Sequence, residues 1–137
     1  MYILVALLTI ALGLLTACGE SSTATTSGGK TKISLWTHSA GNPSEMDTLK
    51  KEVATFNTSQ SQYEVDIQSF PQASYNDSIS AAALAHKLPD IIDMDNPTVA
   101  NFAWSKYIQA LPVSDADVQQ LGIAKSAIGS FQGKVYS

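Results

Sequence analysis

Seven residues have side chains suited to binding a polar solute, and they lie just after three extended segments. The first two segments are followed by aromatic rings, an imidazole and a hydroxyl, and the third by carboxylates and an amide. Sugars present hydroxyl groups at the rim and apolar C–H faces, so a sugar site needs flat rings and planar polar groups. The set with this composition is Trp36, His38, Ser39, Tyr75, Asp93, Asp95 and Asn96.

Several acidic and aromatic residues also have a structural interpretation that the sequence leaves open. Trp36 ends an extended segment and can belong to the core, Tyr75 can cover a sheet edge, and Asp93 can cap backbone groups. Asp90 is expected to be structural at the start of the third segment. Trp104 is expected to pack in the core or on the surface, away from a cleft.

Other kinds of site chemistry lack their motifs. The acids Asp90, Asp93 and Asp95 are clustered, but neither the glycine nor the distal glutamate of a calcium loop accompanies them. His38 and His86 are far apart in the sequence, so no zinc site is predicted. The sequence also has no phosphate loop, nucleophile elbow or paired His–Glu helix motif. We therefore predict a binding protein without a metal, a cofactor or catalytic activity.

Length and charge describe a mildly acidic globular chain. The 137 residues include 8 basic residues, all of them lysine, and 12 acidic residues, so the net charge is -4, and 45% of the residues are hydrophobic. This apolar content suffices for one domain with a core and exceeds that of a disordered acidic tail. Clusters of cations that could neutralise phosphates are lacking, so no nucleic-acid partner is expected.

Residues 1–17 form an uncharged apolar run that differs from the rest of the chain. A membrane-spanning helix needs about 20 apolar residues, whereas this run is shorter and stops at small side chains. It therefore predicts a signal peptide that is removed on export. Signal peptides start with a positive charge, which this run lacks, so we expect the true start of the protein to lie upstream.

Cys18 is the single cysteine, which excludes an internal disulfide, and it directly follows the apolar run. The segment Leu15-Thr16-Ala17-Cys18 resembles the bacterial lipobox, which implies acylation of the thiol and cleavage before Cys18. The alternative is a buried free cysteine at the end of a hydrophobic helix. Residues 18–31 are predicted to be the lipidated cysteine and a flexible Ser/Thr/Gly tether. This order predicts an exported domain that is anchored by lipid to the outer face of the cell membrane.

Strands and helices are predicted to alternate from residue 32 onward. Residues 33–37 favour a strand, and a helix capped by Ser44 follows, with Asp47 in the capping-box position. In residues 63–68 apolar and polar side chains alternate strictly, which predicts an edge strand with one wet face. The first helix is expected to end near Asn57, and its apolar stripe consists of Met46, Leu49, Val53 and Phe56.

The second and third units repeat this organisation. A second helix is predicted to be capped by Ser74, with Asp77 in the capping-box position, and a short third strand lies within residues 88–94. Asn96 is predicted to cap a third helix that has Pro97 at its first position.

The repeated units predict an α/β fold with an open, mostly parallel sheet, right-handed crossovers and helices on both faces. A fourth helix is expected after Ser114, and residues 133–136 favour the start of another strand. Ligands of such sheets bind outside the carboxyl ends of the strands, where the seven candidate residues are expected.

Six short segments follow one another in an order that matches a known family. They are residues 33–38, Phe56-Asn57, Tyr75, the alanine-rich run into residues 88–91, residues 107–111 and residues 133–136. Taken in order, they resemble the bacterial extracellular solute-binding proteins of the ABC sugar-importer type (family 1). The resemblance implies a two-lobe, class II periplasmic-binding-protein-like fold, of which residues 32–137 are part of the N-terminal lobe. One departure is His86, where the family usually has a glycine that suits a left-handed helix C-cap.

The resemblance implies capture of an extracellular carbohydrate by a monomer that delivers it to the ABC permease subunits in the membrane. Other functions remain open on the residues alone. They are binding of a non-sugar solute (a peptide, a metal chelate or a polyamine), hydrolysis by a surface-anchored α/β enzyme, and a lipid-tethered interaction role without a small ligand.

Overall fold

The computed structural model describes residues 29–122, 124 and 127–137. The predicted signal peptide, Cys18 and residues 19–28 of the predicted tether lie outside the described residues. Within the described ranges, no helix is both long and apolar enough to cross a lipid bilayer.

A three-stranded parallel sheet forms the centre of the fold. The strand β1 (Thr31–Thr37) pairs along its length with β2 (Tyr63–Ser69) and on its other side with the short β3 (Ile91–Ile92), so the order is β2-β1-β3. The register runs from Thr31 opposite Tyr63 to Thr37 opposite Ser69. The predicted α/β class and the edge position of β2 are confirmed. Because β1 begins at Thr31, the last residue of the predicted tether belongs to the sheet.

Helices connect the parallel strands. The helix α1 (Pro43–Ser59) joins β1 to β2, α2 (Gln72–Leu84) joins β2 to β3, and α3 (Asn96–Trp104) follows β3. The two crossovers run in opposite directions across the sheet, so right-handed connections put α1 and α2 on opposite faces. Three short elements complete the described chain, namely α4 (Asp115–Gln120), β4 (Ser130–Phe131) and β5 (Lys134–Val135).

The first helix starts earlier than its predicted cap. Asn42, and not Ser44, is the N-cap of α1, since the Asn42 side chain accepts a hydrogen bond from the Glu45 amide. Pro43 then occupies the first helical position, where its missing N–H costs nothing. Asn and Ser are both good N-caps, so residue preference alone did not distinguish two nearby positions.

The predicted caps of the next two helices are also wrong. The helix α2 begins at Gln72, which places Ser74 inside its first turn and not at its cap. Asn96 is the first residue of α3, and Asp95 holds the N-cap position without a side-chain hydrogen bond to the helix. Both helices therefore begin directly after the loops that leave the sheet.

Both α2 and α3 end in a left-handed residue. His86 has a φ of 54° and Lys106 a φ of 60°. After α2, the His86 amide donates to the Ala83 carbonyl and the Lys87 amide donates to the Ala82 carbonyl, which are the two bonds of a Schellman motif. The left-handed conformation expected for His86 is therefore confirmed, and the motif stabilises it.

The main hydrophobic core lies between the sheet and the helices α2 and α3. Its buried centre consists of Tyr75, Ile79 and Phe102, and Trp36 of β1 and Ile92 of β3 pack against it. Burying a large apolar side chain contributes about 1.5–3 kcal/mol, so this cluster is the main source of stability next to the candidate site.

The helix α1 packs against the edge strand β2 and provides hydrogen-bond partners for part of its outer edge. Asn57 Nδ2 donates to the Val65 carbonyl at 3.0 Å, and the Val65 amide donates to Asn57 Oδ1 at 2.8 Å. The side chain thus replaces one residue of a neighbouring strand. Lys30 Nζ donates to the carbonyls of Asn57 (2.6 Å) and Gln60 (3.1 Å), at the helix C-terminus where a cation is favoured.

The C-terminal part of the described chain is a short helix and a hairpin. Ser114 and Asp117 form a capping box at α4, which confirms the helix expected after Ser114. The strand predicted within residues 133–136 is β5, but it pairs antiparallel with β4 and does not extend the parallel sheet. Gln132 and Gly133 have φ values of 50° and 75°, as a two-residue type I′ turn requires.

Candidate functional site

The candidate site lies at the switch point of the parallel sheet. After β1 the chain crosses to β2 on one side of β1. After β2 it crosses back to β3 on the other side of β1. In open α/β sheets a crevice forms where the connections of adjacent strands diverge, outside their carboxyl ends. Here the ends are residues 37–39 at β1 and residues 93–95 at β3. A hydrogen bond joins them, because the Asp93 amide donates to the Trp36 carbonyl at 2.9 Å.

The buried hydroxyl of Thr37 holds the carboxylate of Asp93, and the buried Ser39 hydroxyl lies next to it. Thr37 is 0% exposed and Ser39 is 1% exposed. Thr37 Oγ1 donates to Asp93 Oδ2 at 2.7 Å and lies 2.9 Å from Ser39 Oγ. Sequence reasoning included Ser39 but missed Thr37, which resembles any β-branched residue at a strand end. The result is a carboxylate of fixed orientation at the carboxyl ends of β1 and β3.

His38 lies between two carboxylates and an aromatic ring. Its Nε2 atom is 3.7 Å from Asp95 Oδ1 and 3.9 Å from Asp93 Oδ2, beyond ordinary hydrogen-bond distance. The Tyr75 ring contacts the imidazole edge-on, with ring centroids 5.7 Å apart. The His38 side chain is 14% exposed. The imidazole is therefore packed in place while one side remains open to the crevice.

Tyr75 supports the site from within the core. It is buried, and its hydroxyl donates to the Trp36 carbonyl at 2.7 Å. Burial and, to a smaller extent, the negative charge of Asp93 raise the pKa of the Tyr75 phenol. The phenol therefore stays protonated and keeps its role as a donor. Tyr75 thus lies beneath the carboxyl end of β1, with its hydroxyl already used by the protein.

Glu45 is a site residue that sequence reasoning missed. It lies in the first turn of α1, where Asn42 Nδ2 donates to Glu45 Oε2 at 3.1 Å. Nitrogen or oxygen atoms of His38, Glu45 and Asp93 all lie within 4.8 Å of one another. The available signal was the helix start at residues 42–45, directly after the loop that contains His38.

Two shallow cavities flank this group of side chains. One, of about 550 Å³, is bounded by Ser39, Glu45 and Asp93, among others. The second, also of about 550 Å³, lies on the other side of Glu45 and is bounded by His38 and Gln72. Both volumes fall within the range of small-molecule sites, about 300–1,000 Å³. Glu45 lines both cavities, so a ligand in either one would lie next to its carboxylate.

The structure separates the predicted site residues into two groups. His38, Ser39, Asp93 and Asp95 converge at the switch point, and Asn96 follows them as the first residue of α3. The aromatic residues lie underneath, since Trp36 packs on the Phe70 ring at 4.6 Å and Tyr75 is buried. The convergent group is therefore polar and acidic, and the rings expected for stacking on a sugar belong mainly to the core.

Two residues that the sequence analysis assigned to other roles lie away from the crevice. Asp90 Oδ2 accepts hydrogen bonds from the Ser34 amide at 2.8 Å and the Ser34 hydroxyl at 2.7 Å, as expected for a structural role at the start of β3. These bonds lower the pKa of the Asp90 carboxyl. Trp104 is 74% exposed at the end of α3, so it lies on the surface.

Comparison with known proteins does not assign this chain to a family. No protein-family model and no curated protein matches the sequence. The structure itself shows an α/β domain with a three-stranded parallel sheet, and an acidic, histidine-containing crevice at the carboxyl ends of β1 and β3.

Proposed function

We propose that this chain is the N-terminal part of an exported, lipid-anchored solute-binding protein that captures a carbohydrate for an ABC-type importer. In this proposal the described domain belongs to the first lobe of a two-lobe, class II fold. The observation that carries the proposal is the convergence of Ser39, Asp93 and Asp95 at the switch point of an open parallel sheet. Such crevices are where α/β proteins bind small polar ligands.

The chemistry of the crevice supports a hydroxylated ligand. Carboxylate oxygens of Asp93 and Asp95 accept hydrogen bonds from hydroxyl groups, and charged acceptors make such bonds stronger than neutral ones. Because Asp93 is held by buried Thr37, its free oxygen can accept a ligand hydroxyl without reorganisation. A shallow crevice contacts one side of a solute only, so tight capture needs closure of a second lobe over the other side.

The solute is tested by nuclear magnetic resonance, because half of a two-lobe site binds weakly. The full chain, labelled with ¹⁵N, is titrated with mono- and oligosaccharides up to tens of millimolar, in the presence of a chelator. We expect a dissociation constant of about 1–10 mM, which corresponds to about 3–4 kcal/mol of binding free energy. Amides of residues 37–39 and 93–96 should shift with the sugar concentration. Saturating shifts confined to other parts of the sheet, or no shifts with any sugar, would exclude a carbohydrate at the switch point.

The lipid anchor is tested separately. Cells expressing the chain are grown with radiolabelled palmitate, and the matched control carries Cys18→Ser. We expect label on the parent chain and none on the variant, since the thiol is the acceptor of the lipid. Equal labelling of both chains, or no labelling of either, would contradict anchoring through Cys18.

The two-lobe arrangement makes a prediction about the gene. Two α/β lobes exceed the size of one ordinary domain, so about 250–300 further residues in strand–helix units should follow Ser137. Sequencing of the downstream reading frame checks this expectation. An immediate stop codon would contradict the two-lobe part of the proposal and leave the carbohydrate titration to decide the rest.

A further inference from the structure

The structure brings together a mixed nitrogen and oxygen ligand set that no short sequence motif announces. His38 comes from the loop after β1, Glu45 from the first turn of α1 and Asp93 from the end of β3. One ligand atom from each residue lies within 4.8 Å of the other two. From these residues we propose that the crevice binds a divalent transition cation, with Zn²⁺ as the best match to one imidazole and two carboxylates.

The distances suit a shared ion better than direct pairing. A tetrahedral ion with bonds of about 2.0–2.1 Å separates its ligand atoms by about 3.3–3.4 Å. His38 Nε2 lies 3.9 Å from Asp93 Oδ2, which is too long for a hydrogen bond but needs only a small adjustment to share a cation. Asp95 Oδ1, at 3.7 Å from the same nitrogen, is close enough to serve as a fourth ligand or to orient a bound water.

Both carboxylates are oriented by hydrogen bonds from neighbouring side chains. Asp93 Oδ2 accepts from Thr37 Oγ1, which is fully buried and itself lies beside the buried Ser39 hydroxyl. Glu45 Oε2 accepts from the Asn42 side chain at 3.1 Å. Outer-shell partners of this kind hold metal ligands in position, and their loss typically weakens metal binding about 10–100-fold.

The charge of the crevice also favours a cation. Glu45, Asp93 and Asp95 place three carboxylates near one imidazole, and the Tyr75 ring contacts this imidazole edge-on. A divalent ion would offset the repulsion among these carboxylates, and the imidazole selects against the hard cations Mg²⁺ and Ca²⁺. The inference is independent of the carbohydrate proposal, because metal binding is measured without sugar and the sugar titration contains a chelator.

The test compares the two histidines of the chain. The full chain, carrying Cys18→Ser so that the thiol cannot bind metal, is titrated with Zn²⁺ against a chromophoric chelator. We expect one Zn²⁺ per chain with a dissociation constant below about 10 µM. His38→Asn should weaken binding at least about tenfold, whereas His86→Asn, at the end of α2, should leave it unchanged.

A second variant keeps the test decisive if one substitution disturbs the fold. Glu45 is exposed, so Glu45→Gln should fold normally by circular dichroism and still weaken Zn²⁺ binding about tenfold. Mg²⁺ at the same concentrations should not compete. Affinity unchanged by both His38→Asn and Glu45→Gln, or lost equally in His86→Asn, would overturn the proposed site.

Discussion

Removing the hydroxyl of Tyr75 tests how the core supports the carboxyl end of β1. The Trp36 carbonyl accepts two hydrogen bonds, one from the Tyr75 hydroxyl at 2.7 Å and one from the Asp93 amide at 2.9 Å. In Tyr75→Phe the ring stays buried and the carbonyl keeps its second partner. We therefore expect the free energy of unfolding to fall by about 1 kcal/mol, the net contribution of one hydrogen bond, and not by the larger cost of an orphaned group.

The same substitution changes the dependence of stability on alkaline pH. Burial raises the pKa of Tyr75 above its ordinary value of 10.0, so above that pH the unfolded chain releases a proton that the folded chain retains. The contribution of Tyr75 to stability is complete below the ordinary value and is lost as the pH rises toward the folded value. A single proton gives a slope of at most about 1.4 kcal/mol per pH unit. Tyr75→Phe should lack this contribution to the slope.

The assay is urea and thermal unfolding of the full chain, followed by circular dichroism. A loss of about 1 kcal/mol corresponds to a fall in Tm of about 4–8 °C for a domain of this size. Tyr63→Phe is the matched control, since Tyr63 is 42% exposed on the edge strand and should change stability by less than about 0.5 kcal/mol. Unchanged stability in Tyr75→Phe, or a loss above about 3 kcal/mol, would refute the view that the Trp36 carbonyl accepts hydrogen bonds from two donors.

Two further predictions concern the edge of the sheet and the start of β3. Asn57→Ala should lower the free energy of unfolding by about 1–2 kcal/mol, because both bonds to the Val65 backbone are lost. Hydrogen exchange at the Val65 amide should accelerate more than at its neighbours, and uniform acceleration would contradict this local role. Hydrogen bonds from Ser34 hold the pKa of Asp90 below its ordinary 3.8, so its contribution is present above that pH and is lost as the pH falls through the lower folded value. Asp90→Asn should cost about 1 kcal/mol at neutral pH after solvent screening, and this cost should shrink as the pH falls below the ordinary pKa of the carboxyl. A cost that does not change with pH would contradict the assignment.

The order of strands and helices could be predicted because it depends on local patterns. Alternation over residues 63–68 predicted an edge strand, and β2 is at the sheet edge with Asn57 bound to its outer side. The left-handed conformation of His86 agrees with the resemblance, which places a glycine at this position. Helix starts were less predictable, because good capping residues occur at several neighbouring positions. At α1 both Asn42 and Ser44 had suitable side chains, and the loop from β1 selected Asn42.

The tertiary structure decided which candidate residues meet. Thr37 and Asp93 are 56 residues apart and are joined only because β1 and β3 are adjacent parallel strands. The same pairing brings Asp93 to His38 and Glu45, which are close in sequence, and groups the three side chains although the sequence has no zinc motif. Packing of α2 on the sheet buries Tyr75 and directs its hydroxyl to the Trp36 carbonyl. By itself the sequence determined the types of element and the polar character of the strand ends, since those depend on neighbouring residues. Side-chain convergence depends on strand order and register, which result from packing over the whole domain.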